Sequence, residues 1–471
     1  MKYNICCGQI LKNKIEYVVK TFNTYLGDDN GKELSLLYTD SENYYGDYDI
    51  IIKSDPYASE YFSGCEILPS EKIKYYDIHG ENVPVLFSND SKECFNYDYL
   101  NKKLIINIDI FASSFYFLSL WQEYISNDLD VHERHSAKNS LQYKLNFIKK
   151  PIVTIYFNFA KNLIEKHFNL KFRERQTAVV MTHDIDYIRK WSPGIIYREM
   201  IQYFILNRLQ KNLPERLKRL KAFFNALSRK NDPYRYSLEK MIDFEMERNV
   251  RSTFFIKAGT TSKHDVSYSL KNRYLNKCIS KLKENFFDIG LHPSYHTFNN
   301  KKNMTKELNR LEKAFDMKVF VVRQHFLRYS SKTTADLHTE LGFKYDSSLG
   351  YHDHEGYRTG FSYPHNLYNI KNDRMYDIIE VPLVIMDATL EFYRKMSPEL
   401  SFQTIKNMIS SMMNYGGVIT ILIHNTCYDE LDYEGWGRVY EETIDYALEQ
   451  NIPVYSISGV INSYYGNKSR L

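Results

Sequence analysis

Residues 178–186 read AVVMTHDID, a short apolar run that ends in two acidic residues. Apolar runs of four to eight residues are typical of buried strands. Six further runs of this kind follow along the chain, and stretches with helical spacing of apolar residues separate most of them. This alternation predicts an α/β fold with parallel strands, and about seven strands favour a distorted (β/α) barrel over an open sheet.

The predicted elements of the barrel are as follows. The strands are Ala178–Met181, Ser252–Ile256, Phe287–Leu291, Val319–Val322, Ile378–Leu383, Val418–Ile423 and Val454–Ile457. The helices are Leu238–Glu247, Leu270–Glu284, Thr305–Phe315, Thr333–Leu341, Pro398–Asn414 and Val439–Glu449. Spacing alone does not separate a barrel from an open sheet.

The first part of the chain predicts a smaller unit of mixed α/β type. Its elements are the strands Tyr48–Lys53 and Lys103–Ile108 and the helices Phe111–Ile125 and Val153–His167. A charged run, residues 171–176, precedes the first barrel strand. We therefore predict an N-terminal unit over residues 1–172, with no role indicated, and a barrel over residues 173–471.

Composition excludes several classes of protein. Of 471 residues, 43% are hydrophobic and 25% are charged, which excludes wholesale disorder. The longest apolar stretch, Phe111–Trp121, is shorter than the ~18 residues that a membrane span needs. A net charge of +4 is too small in this chain to indicate binding of nucleic acid.

The cysteines and the first residues predict a cytoplasmic protein. The cysteines are Cys6, Cys7, Cys65, Cys94, Cys278 and Cys427. They form neither a disulfide framework nor a paired metal motif, as expected for reduced thiols. The sequence from Met1 to Cys7 lacks the basic-then-apolar order of a secretory signal.

A basic insertion, Arg189–Arg235, separates the first two predicted barrel strands. It contains twelve basic residues, Arg229 and Lys230 among them, against three acidic ones, together with apolar residues at helical spacing. One interpretation is an amphipathic surface that contacts an anionic membrane or an acidic polysaccharide. The other, which the sequence alone favours, is a helical pair on the barrel with a solvated basic face.

Polar residues with catalytic potential follow the predicted strands, whose carboxyl ends form the mouth of a barrel. Asp184 and Asp186, two apart in an extended segment, point the same way. Pro293 suits the first position of a helix, so His292 and His296, four apart, are expected to converge on one metal ion. One aspartate and two histidines leave positions open for water, as in catalytic zinc sites.

Two more polar residues arrive at the same mouth. Arg323 follows the strand Val319–Val322, and His424 follows the strand Val418–Ile423. A single histidine after an apolar strand is more often structural than catalytic. Its position at the mouth beside a candidate metal site favours a catalytic role here.

The order of these motifs resembles the polysaccharide deacetylases, carbohydrate esterase family four. The motifs are Thr182-x-Asp184-x-Asp186, Thr253-Phe254-Phe255, His292-x-x-x-His296, Arg323 and Leu422-Ile423-His424. The resemblance covers about residues 176–460. It implies a metal-dependent hydrolase that removes acetyl groups from N-acetylated sugars, built on a distorted (β/α) barrel.

The resemblance also implies a role for each residue. Asp184 matches the catalytic base, Arg323 the arginine that orients it, and His424 the histidine that protonates the leaving amine. The implied metal ligands are Asp186, His292 and His296. Zn²⁺ is the expected ion, and the ligand types leave Co²⁺, Mn²⁺ and Fe²⁺ open.

The sequence departs from the family pattern at three places. Ile185 separates two aspartates that are adjacent in most members, as in a minority Asp-x-Asp branch. Arg323-Gln324-His325 lacks the proline of the Arg-x-Pro motif, and Asn425 replaces the proline after His424. The branch occurs in bacterial cell-surface polysaccharide gene clusters with an additional N-terminal domain, which Phe117–Ser140 resembles.

Weaker candidates lie in other loops. Arg358, Tyr329 and Asp346 are candidates for substrate binding, although a structural ion pair explains Arg358 equally well. The pairs His352 and His354, and His132 and His135, have the spacing of metal ligands but no third ligand, so solvated loops are favoured.

The expected function is hydrolysis of an N-acetyl or related acyl group on a sugar. The substrate would be a cell-surface polysaccharide or its lipid- or nucleotide-linked precursor in the cytoplasm, with peripheral contact to an anionic membrane through residues 189–235. Two alternatives stay open, a glycan-binding barrel without turnover and a hydrolase of a non-sugar amide. The sequence does not indicate an oligomeric state.

Overall fold

Two separate β-sheets form the framework of the chain. The computed structural model describes residues 1–27, 33–41, 43, 46, 48–64, 66–227 and 231–466. Cys65, Arg229 and Lys230, named above, lie outside these described residues. The five described cysteines are free thiols, as predicted.

The first sheet lies in the N-terminal part. Its strands and a separate hairpin are β1 (Lys2–Cys6), β2 (Ser35–Thr39), β3 (Ile50–Lys53), β4 (Lys74–Ile78), β5 (Glu81–Val85), β6 (Phe95–Asp98) and β7 (Lys103–Ile106). The helices are α1 (Gln9–Leu26), α2 (Pro56–Tyr61), α3 (Ile110–Leu118), α4 (Trp121–Ile125), α5 (Leu141–Lys144) and α6 (Ile152–Phe168). The strand order is β1-β2-β3-β7-β6, and β4 pairs with β5 alone. All neighbours in the sheet are parallel except β6 and β7.

The elements predicted for this part are all found. β3 buries three consecutive isoleucines, as expected for a parallel strand covered on both faces. The helix predicted over Phe111–Ile125 is divided into α3 and α4, because Leu120 adopts a left-handed φ of 56°. The predicted mixed α/β class of the smaller unit is confirmed.

The second sheet forms an open, curled half-barrel. Its strands are β8 (Ala178–Ile185), β9 (Thr253–Lys257), β10 (Asp288–His292), β11 (Val321–Val322), β12 (Tyr345–Asp346), β13 (His365–Asn369), β14 (Arg374–Glu380), β15 (Leu383–Met386), β16 (Val418–Leu422) and β17 (Val454–Tyr455). Their order is β13-β14-β12-β11-β10-β9-β8-β16-β15, with β17 beside β8. Only the β13–β14 pair among these described strands is antiparallel.

All seven predicted strands are present, and the predicted distorted (β/α) barrel is confirmed in this open form. β12 and β13 are additional strands. The segment predicted as one strand, Ile378–Leu383, instead spans the end of β14 and the start of β15. This division matters for the site, because the residue after β15 lies at the mouth.

The connecting helices match the predicted pattern. They are α7 (Pro193–Tyr197), α8 (Leu213–Ala226), α9 (Pro233–Glu247), α10 (Arg273–Glu284), α11 (Lys301–Phe315), α12 (Thr334–Glu340), α13 (Pro398–Tyr415), α14 (Trp436–Glu449) and α15 (Ile457–Tyr465). The basic insertion contains α7, a π-helical segment (Arg198–Ile205) and α8. Within the described ranges, none of the helices is long and apolar enough to cross a membrane.

Apolar and ionic contacts join the two sheets. Aromatic residues of the barrel extend the N-terminal core, with the ring of Tyr368 centred 4.9 Å from that of Tyr17. The Arg358 guanidinium binds both carboxylate oxygens of Glu123, at 2.8 and 2.6 Å. We propose that the chain divides at residue 172, between α6 and β8, into two units that pack closely on each other.

The buried Glu123–Arg358 pair is expected to contribute strongly to stability. Its side chains are 8% and 2% exposed, so Glu123→Ala would leave a buried guanidinium without a counterion. The expected loss is about 3–5 kcal/mol in the free energy of unfolding, measured by urea denaturation. The control is Glu399→Ala in the exposed Arg438–Glu399 pair, which should change the free energy of unfolding far less, because solvent screens that pair. Equal losses in the two variants would contradict this prediction.

Candidate metal centre and active-site pocket

Five of the predicted site residues meet at the carboxyl ends of the barrel strands. His292 Nε2 lies 3.5 Å from Asp184 Oδ2 and 3.6 Å from Asp186 Oδ1. Arg323 Nη1 lies 3.4 Å from Asp184 Oδ1. His424 Nε2 lies 3.8 Å from Asp186 Oδ2. The parallel sheet therefore gathers groups from β8, β10, β11 and β16 at one place, as the mouth of a barrel requires.

A candidate metal centre consists of Asp186, His292 and His325. One ligand atom from each lies within 4.8 Å of the others. His325 Nε2 is 3.8 Å from Asp186 Oδ1, and this oxygen is buried without a hydrogen-bond donor among the described residues. A buried unpaired carboxylate oxygen is costly unless a cation binds it. One carboxylate and two imidazoles fit Zn²⁺ with positions left open for water.

His296, predicted as the third metal ligand, is not brought to this cluster, and His325 lies there instead. The helix predicted at Pro293 does not form there. Residues 294–300 form turns instead, and α11 begins only at Lys301. The Tyr295 backbone N–H donates to Asp265 Oδ1 at 2.9 Å and fixes the first turn. His296 is exposed, and its Nδ1 lies 3.4 Å from Arg328 Nη1.

The other ring nitrogens of the two candidate histidine ligands are held by the protein. His292 Nδ1 is 2.7 Å from the Arg323 carbonyl oxygen, and His325 Nδ1 is 2.8 Å from Asp265 Oδ1. Such partners set the tautomer, so that Nε2 of each ring carries the lone pair toward the cluster. Burial lowers the pKa of His292 to about 4, which keeps its imidazole neutral as a ligand must be.

Two charged residues that the sequence analysis did not single out surround the cluster. Lys257, the last residue of β9, places Nζ 3.6 Å from Asp186 Oδ1 and 3.4 Å from His325 Nε2. Burial would raise the pKa of Asp265, but its hydrogen bond with His325 and those from backbone N–H groups hold that pKa below its usual value. Both residues fix the charge around the candidate ligands.

Arg323 is immobilised beneath Asp184. The guanidinium is fully buried and donates to Ser347 through Nε and Nη2, at 2.9 and 2.8 Å. Its Nη1 donates to Thr182 Oγ1 at 2.7 Å and reaches Asp184 Oδ1. A charge fixed by three hydrogen bonds orients the neighbouring carboxylate.

His424 is paired with Asp387. Its Nδ1 is 2.6 Å from Asp387 Oδ1, and its backbone N–H donates to Asp387 Oδ2 at 2.7 Å. Burial alone would lower the pKa of the His424 imidazole, but the Asp387 carboxylate raises it to about 10. His424 is therefore held as an imidazolium whose Nε2 faces the cluster, which is the form that donates a proton.

A pocket of about 230 Å³ connects these groups. Its polar floor carries the candidate metal ligands, Asp184 and His424, and its walls are aromatic. The aromatic side chains are Tyr187, Phe326, Phe392, Tyr393 and Tyr433. The volume is below the 300–1,000 Å³ of sites for drug-sized ligands, so it suits a small group such as one sugar unit. A larger cleft of about 760 Å³ beside α6 is lined by none of the groups on this floor.

The three weaker substrate candidates are structural and do not line this pocket. Arg358 is paired with Glu123, which was the alternative interpretation. Tyr329 is buried, with its ring 5.9 Å from the Arg358 guanidinium. Asp346 accepts from Ser348 and is 2.6 Å from His338 Nδ1. Each side chain is committed to an interior contact, and none of the three lies beside the candidate metal ligands.

Three of the four further histidines have polar partners in the interior. His352 and His354 are buried, which overturns the solvated loop favoured from sequence. His352 Nε2 is 3.3 Å from Asp130 Oδ2, and His354 Nδ1 is 2.7 Å from the Glu355 carbonyl. His132 Nδ1 is 2.8 Å from the Tyr295 hydroxyl, and His135 is buried. The contacts of His352 and His132 join loops of the two parts of the chain.

Sequence signals existed for two of the residues that the analysis missed. His325 lies two positions after Arg323, so the extended segment could have placed it on the same side. Asp387 directly follows β15, and a correct strand boundary would have identified it as a residue of the mouth. Asp265 lies in an irregular loop, where no periodic pattern marks it.

The N-terminal part matches a sequence family without an assigned role. Residues 4–169 match the family described as DUF7033, a family of unknown function. No curated protein sequence matches the chain.

Solved structures that resemble the chain include polysaccharide deacetylases, as the motifs predict. A candidate polysaccharide deacetylase from Mycobacterium smegmatis has 15% identity and a TM-score of 0.41, over 63% of this chain and 92% of its own. The Puue allantoinase has 11% identity and a TM-score of 0.41, over 63% and 93%. A chitin deacetylase from Colletotrichum lindemuthianum has 12% identity and a TM-score of 0.34, over 62% and 88%.

Metal content shows whether His296 or His325 is the third ligand. We expect about one divalent ion per chain in the wild type and in His296→Ala, because the exposed His296 lies outside the cluster. His325→Ala and His292→Ala should lose the ion, since each removes a ligand atom. Elemental analysis of the purified, metal-loaded proteins gives the result. Loss of metal in His296→Ala with retention in His325→Ala would restore the assignment made from the sequence.

Proposed function

We propose that the protein is a metal-dependent hydrolase that removes an N-acetyl or related acyl group from a sugar. The substrate class is a cell-surface polysaccharide or its lipid- or nucleotide-linked precursor. One observation carries the proposal. The candidate metal cluster lies between a carboxylate fixed by Arg323 and an imidazolium fixed by Asp387, in one aromatic pocket.

Asp186, His292 and His325 would hold the ion, with Zn²⁺ favoured and Co²⁺, Mn²⁺ or Fe²⁺ also suited to these ligands. A divalent ion bound there would supply Lewis-acid chemistry, polarising an acyl oxygen and lowering the pKa of water. The protein supplies the geometry, because His292 Nδ1 and His325 Nδ1 are held by neighbouring oxygen atoms.

Asp184 is proposed as the general base. Arg323 holds Asp184 Oδ1, which leaves Oδ2 on the side of His292 Nε2, at 3.5 Å. A carboxylate aimed into the pocket can take the proton of an attacking water. Because Arg323 itself is fixed by Ser347 and Thr182, the carboxylate need not reorganise during the reaction.

His424 is proposed as the general acid. An amide nitrogen leaves only after it is protonated, and His424 Nε2 lies 3.8 Å from Asp186 Oδ2 in the cluster. Asp387 retains the proton on Nδ1 and stabilises the imidazolium before the transfer. The base and the acid are thus separate residues, each with its own fixed partner.

The aromatic walls support a sugar as the group that carries the amide. Phe392 and Tyr393 are 55% and 45% exposed at the rim, whereas Phe326 lies deeper. Aromatic faces bury the apolar face of a ring and exclude water from the floor. A glycan-binding barrel without turnover would need neither the Asp184–Arg323 pair nor the His424–Asp387 pair, and a non-sugar amide would not need the aromatic rim.

Replacement of Asp184 separates catalysis from metal binding. Asp184→Asn should reduce turnover by about 100-fold or more, because the amide cannot accept the proton. Metal content should stay near that of the wild type, since Asp184 lies outside the ligand set. The assay is acetate release from a panel of N-acetylated glycans, with elemental analysis of the same samples.

Two outcomes would contradict this proposal. Loss of metal together with activity in Asp184→Asn would make Asp184 a ligand. A metal-loaded wild type that binds glycans without releasing acetate would favour the binding module, and release from simple amides alone would favour the non-sugar hydrolase.

We also propose that the insertion contacts an anionic membrane, which suits a lipid-linked substrate. One face of α8 is fixed to the barrel, where Arg219 Nη2 binds Asp432 Oδ1 at 2.6 Å. The opposite face exposes Leu213, Leu217 and Phe224, by 57%, 50% and 53%. Their spacing of four and seven places them in one stripe, and exposed Lys218 and Lys221 flank it. Apolar residues beside lysines are typical of helices that lie in a bilayer interface.

Vesicle binding tests this surface. The wild type should co-sediment with vesicles that contain anionic lipid and not with neutral phosphatidylcholine vesicles. Leu217→Ser with Phe224→Ser should weaken the binding by about tenfold or more, because buried apolar area is lost. Leu400→Ser, which changes an equally exposed leucine on α13, is the control. No binding to either vesicle, or equal binding to both, would contradict the proposal.

A further inference from the structure

A segment of the N-terminal part lies against the mouth of the barrel. Residues 126–140 follow α4 and are mostly irregular in structure. The Ala137 backbone N–H donates to Asp353 Oδ1 at 2.9 Å, and Ser136 Oγ donates to the same carboxylate. The His132 ring contacts the Tyr295 hydroxyl beside β10. The segment is therefore fixed to loops on two sides of the pocket.

Arg134 is the residue of this segment that reaches the pocket. It is 4% exposed and lines the same cavity as Asp186 and His325. Its Nη1 donates to the Phe326 carbonyl oxygen at 3.1 Å, and its Nη2 donates to the Tyr393 hydroxyl at 3.1 Å. The guanidinium thus joins two aromatic residues of the pocket wall.

Asp130 fixes the orientation of the Arg134 side chain. Asp130 Oδ2 accepts from Nε at 2.9 Å and from Nη2 at 2.8 Å. Asp130 Oδ1 accepts from the backbone N–H groups of His132 and Arg134, at 2.8 and 2.9 Å. A carboxylate with four such hydrogen bonds holds the planar guanidinium in one orientation.

A second buried arginine, Arg328 of the barrel, contacts the same N-terminal segment. Arg328 Nε donates to the His132 carbonyl oxygen at 2.8 Å, and Nη2 pairs with Glu133. Its Nη1 donates to the Tyr295 carbonyl at 2.6 Å. Arg134 and Arg328 therefore form reciprocal contacts across the loop that contains His325, one arginine from each part of the chain.

That loop has strained backbone. Phe326 and Leu327, directly after His325, have φ values of 61° and 53°. Residues other than glycine are uncommon in this left-handed region, which is energetically unfavourable for them. Strain of this kind persists only where surrounding contacts fix it, and the hydrogen bond from Arg134 to the Phe326 carbonyl is such a contact.

We propose that Arg134 is a positioning residue of the active site, holding the Phe326–Leu327 turn so that His325 reaches the metal cluster. The inference rests on the proposed metal centre. It gives the N-terminal part a role. Arg134 completes the pocket wall and fixes His325, whereas all three candidate ligands come from the barrel. The unit of unknown function is then a structural part of the active site.

Metal affinity of the full-length protein tests the inference. Arg134→Met removes the hydrogen bonds while retaining most of the side-chain volume. It should weaken the binding of Zn²⁺ by about tenfold or more, the range seen when groups that orient metal ligands are removed. Competition with a chromogenic chelator measures the affinity, and circular dichroism shows whether the variant is folded. The control is Lys14→Met, which removes another buried cation joining the two parts, bound to Asp373 away from the pocket.

A rescue variant distinguishes a positioning role of Arg134 from a general loss of packing in the pocket wall. Glycine adopts a left-handed φ without steric cost, so Phe326→Gly in the Arg134→Met background should recover part of the lost affinity. Tyr393→Phe removes only the hydroxyl that accepts from Arg134 Nη2. It should leave metal affinity unchanged and raise KM more than it lowers kcat. A structural role without positioning predicts no recovery.

Several outcomes decide the inference. Unchanged affinity in a folded Arg134→Met variant, an equal loss in Lys14→Met, or a failure of glycine to recover affinity would overturn it. Should Arg134→Met fail to fold, Asp130→Asn replaces it in the same measurement, and unchanged affinity there has the same meaning. A wild type that binds no metal would instead overturn the proposed function itself.

Discussion

The buried Oδ1 atom of Asp186 imposes the main constraint on the site. It is enclosed at the mouth of the barrel and has no hydrogen-bond donor among the described residues, so the structure must place positive charge beside it. Lys257 is nearby at 3.6 Å, and two imidazoles present their Nε2 atoms toward the same point. The partners of those imidazoles and the groups that move protons are arranged around this requirement.

The half-barrel can place positive charge beside Asp186 Oδ1 because its parallel strands end at a common edge. Asp184, His292 and Arg323 come from β8, β10 and β11, which lie within one run of four strands together with β9. Two fixed pairs, Asp184 with Arg323 and His424 with Asp387, then lie beside Asp186. The base and the acid lie at the ends of β8 and β16, which are neighbours in the sheet.

The sequence predicted the elements and the residues at strand ends because both depend on local periodicity. Asp184, Asp186, His292, Arg323 and His424 directly follow or end apolar strands and were found in this way. His296 lies outside the cluster, because a hydrogen bond from Tyr295 to Asp265, distant in sequence, accompanies turns where a helix was expected. Asp387 was missed through a wrong strand boundary, and Arg134 because its partners are almost 200 residues away. Contacts of such separation leave no periodic signal.

The left-handed turn after His325 has a consequence for the order in which the protein assembles. The residues that hold this turn precede it in the chain, so they leave the ribosome first, and N-terminal units generally fold as they emerge. The barrel can then close its last loops against a surface that already exists. A barrel synthesised alone, or before its partner, would have to form the left-handed Phe326 and Leu327 without the contact from Arg134.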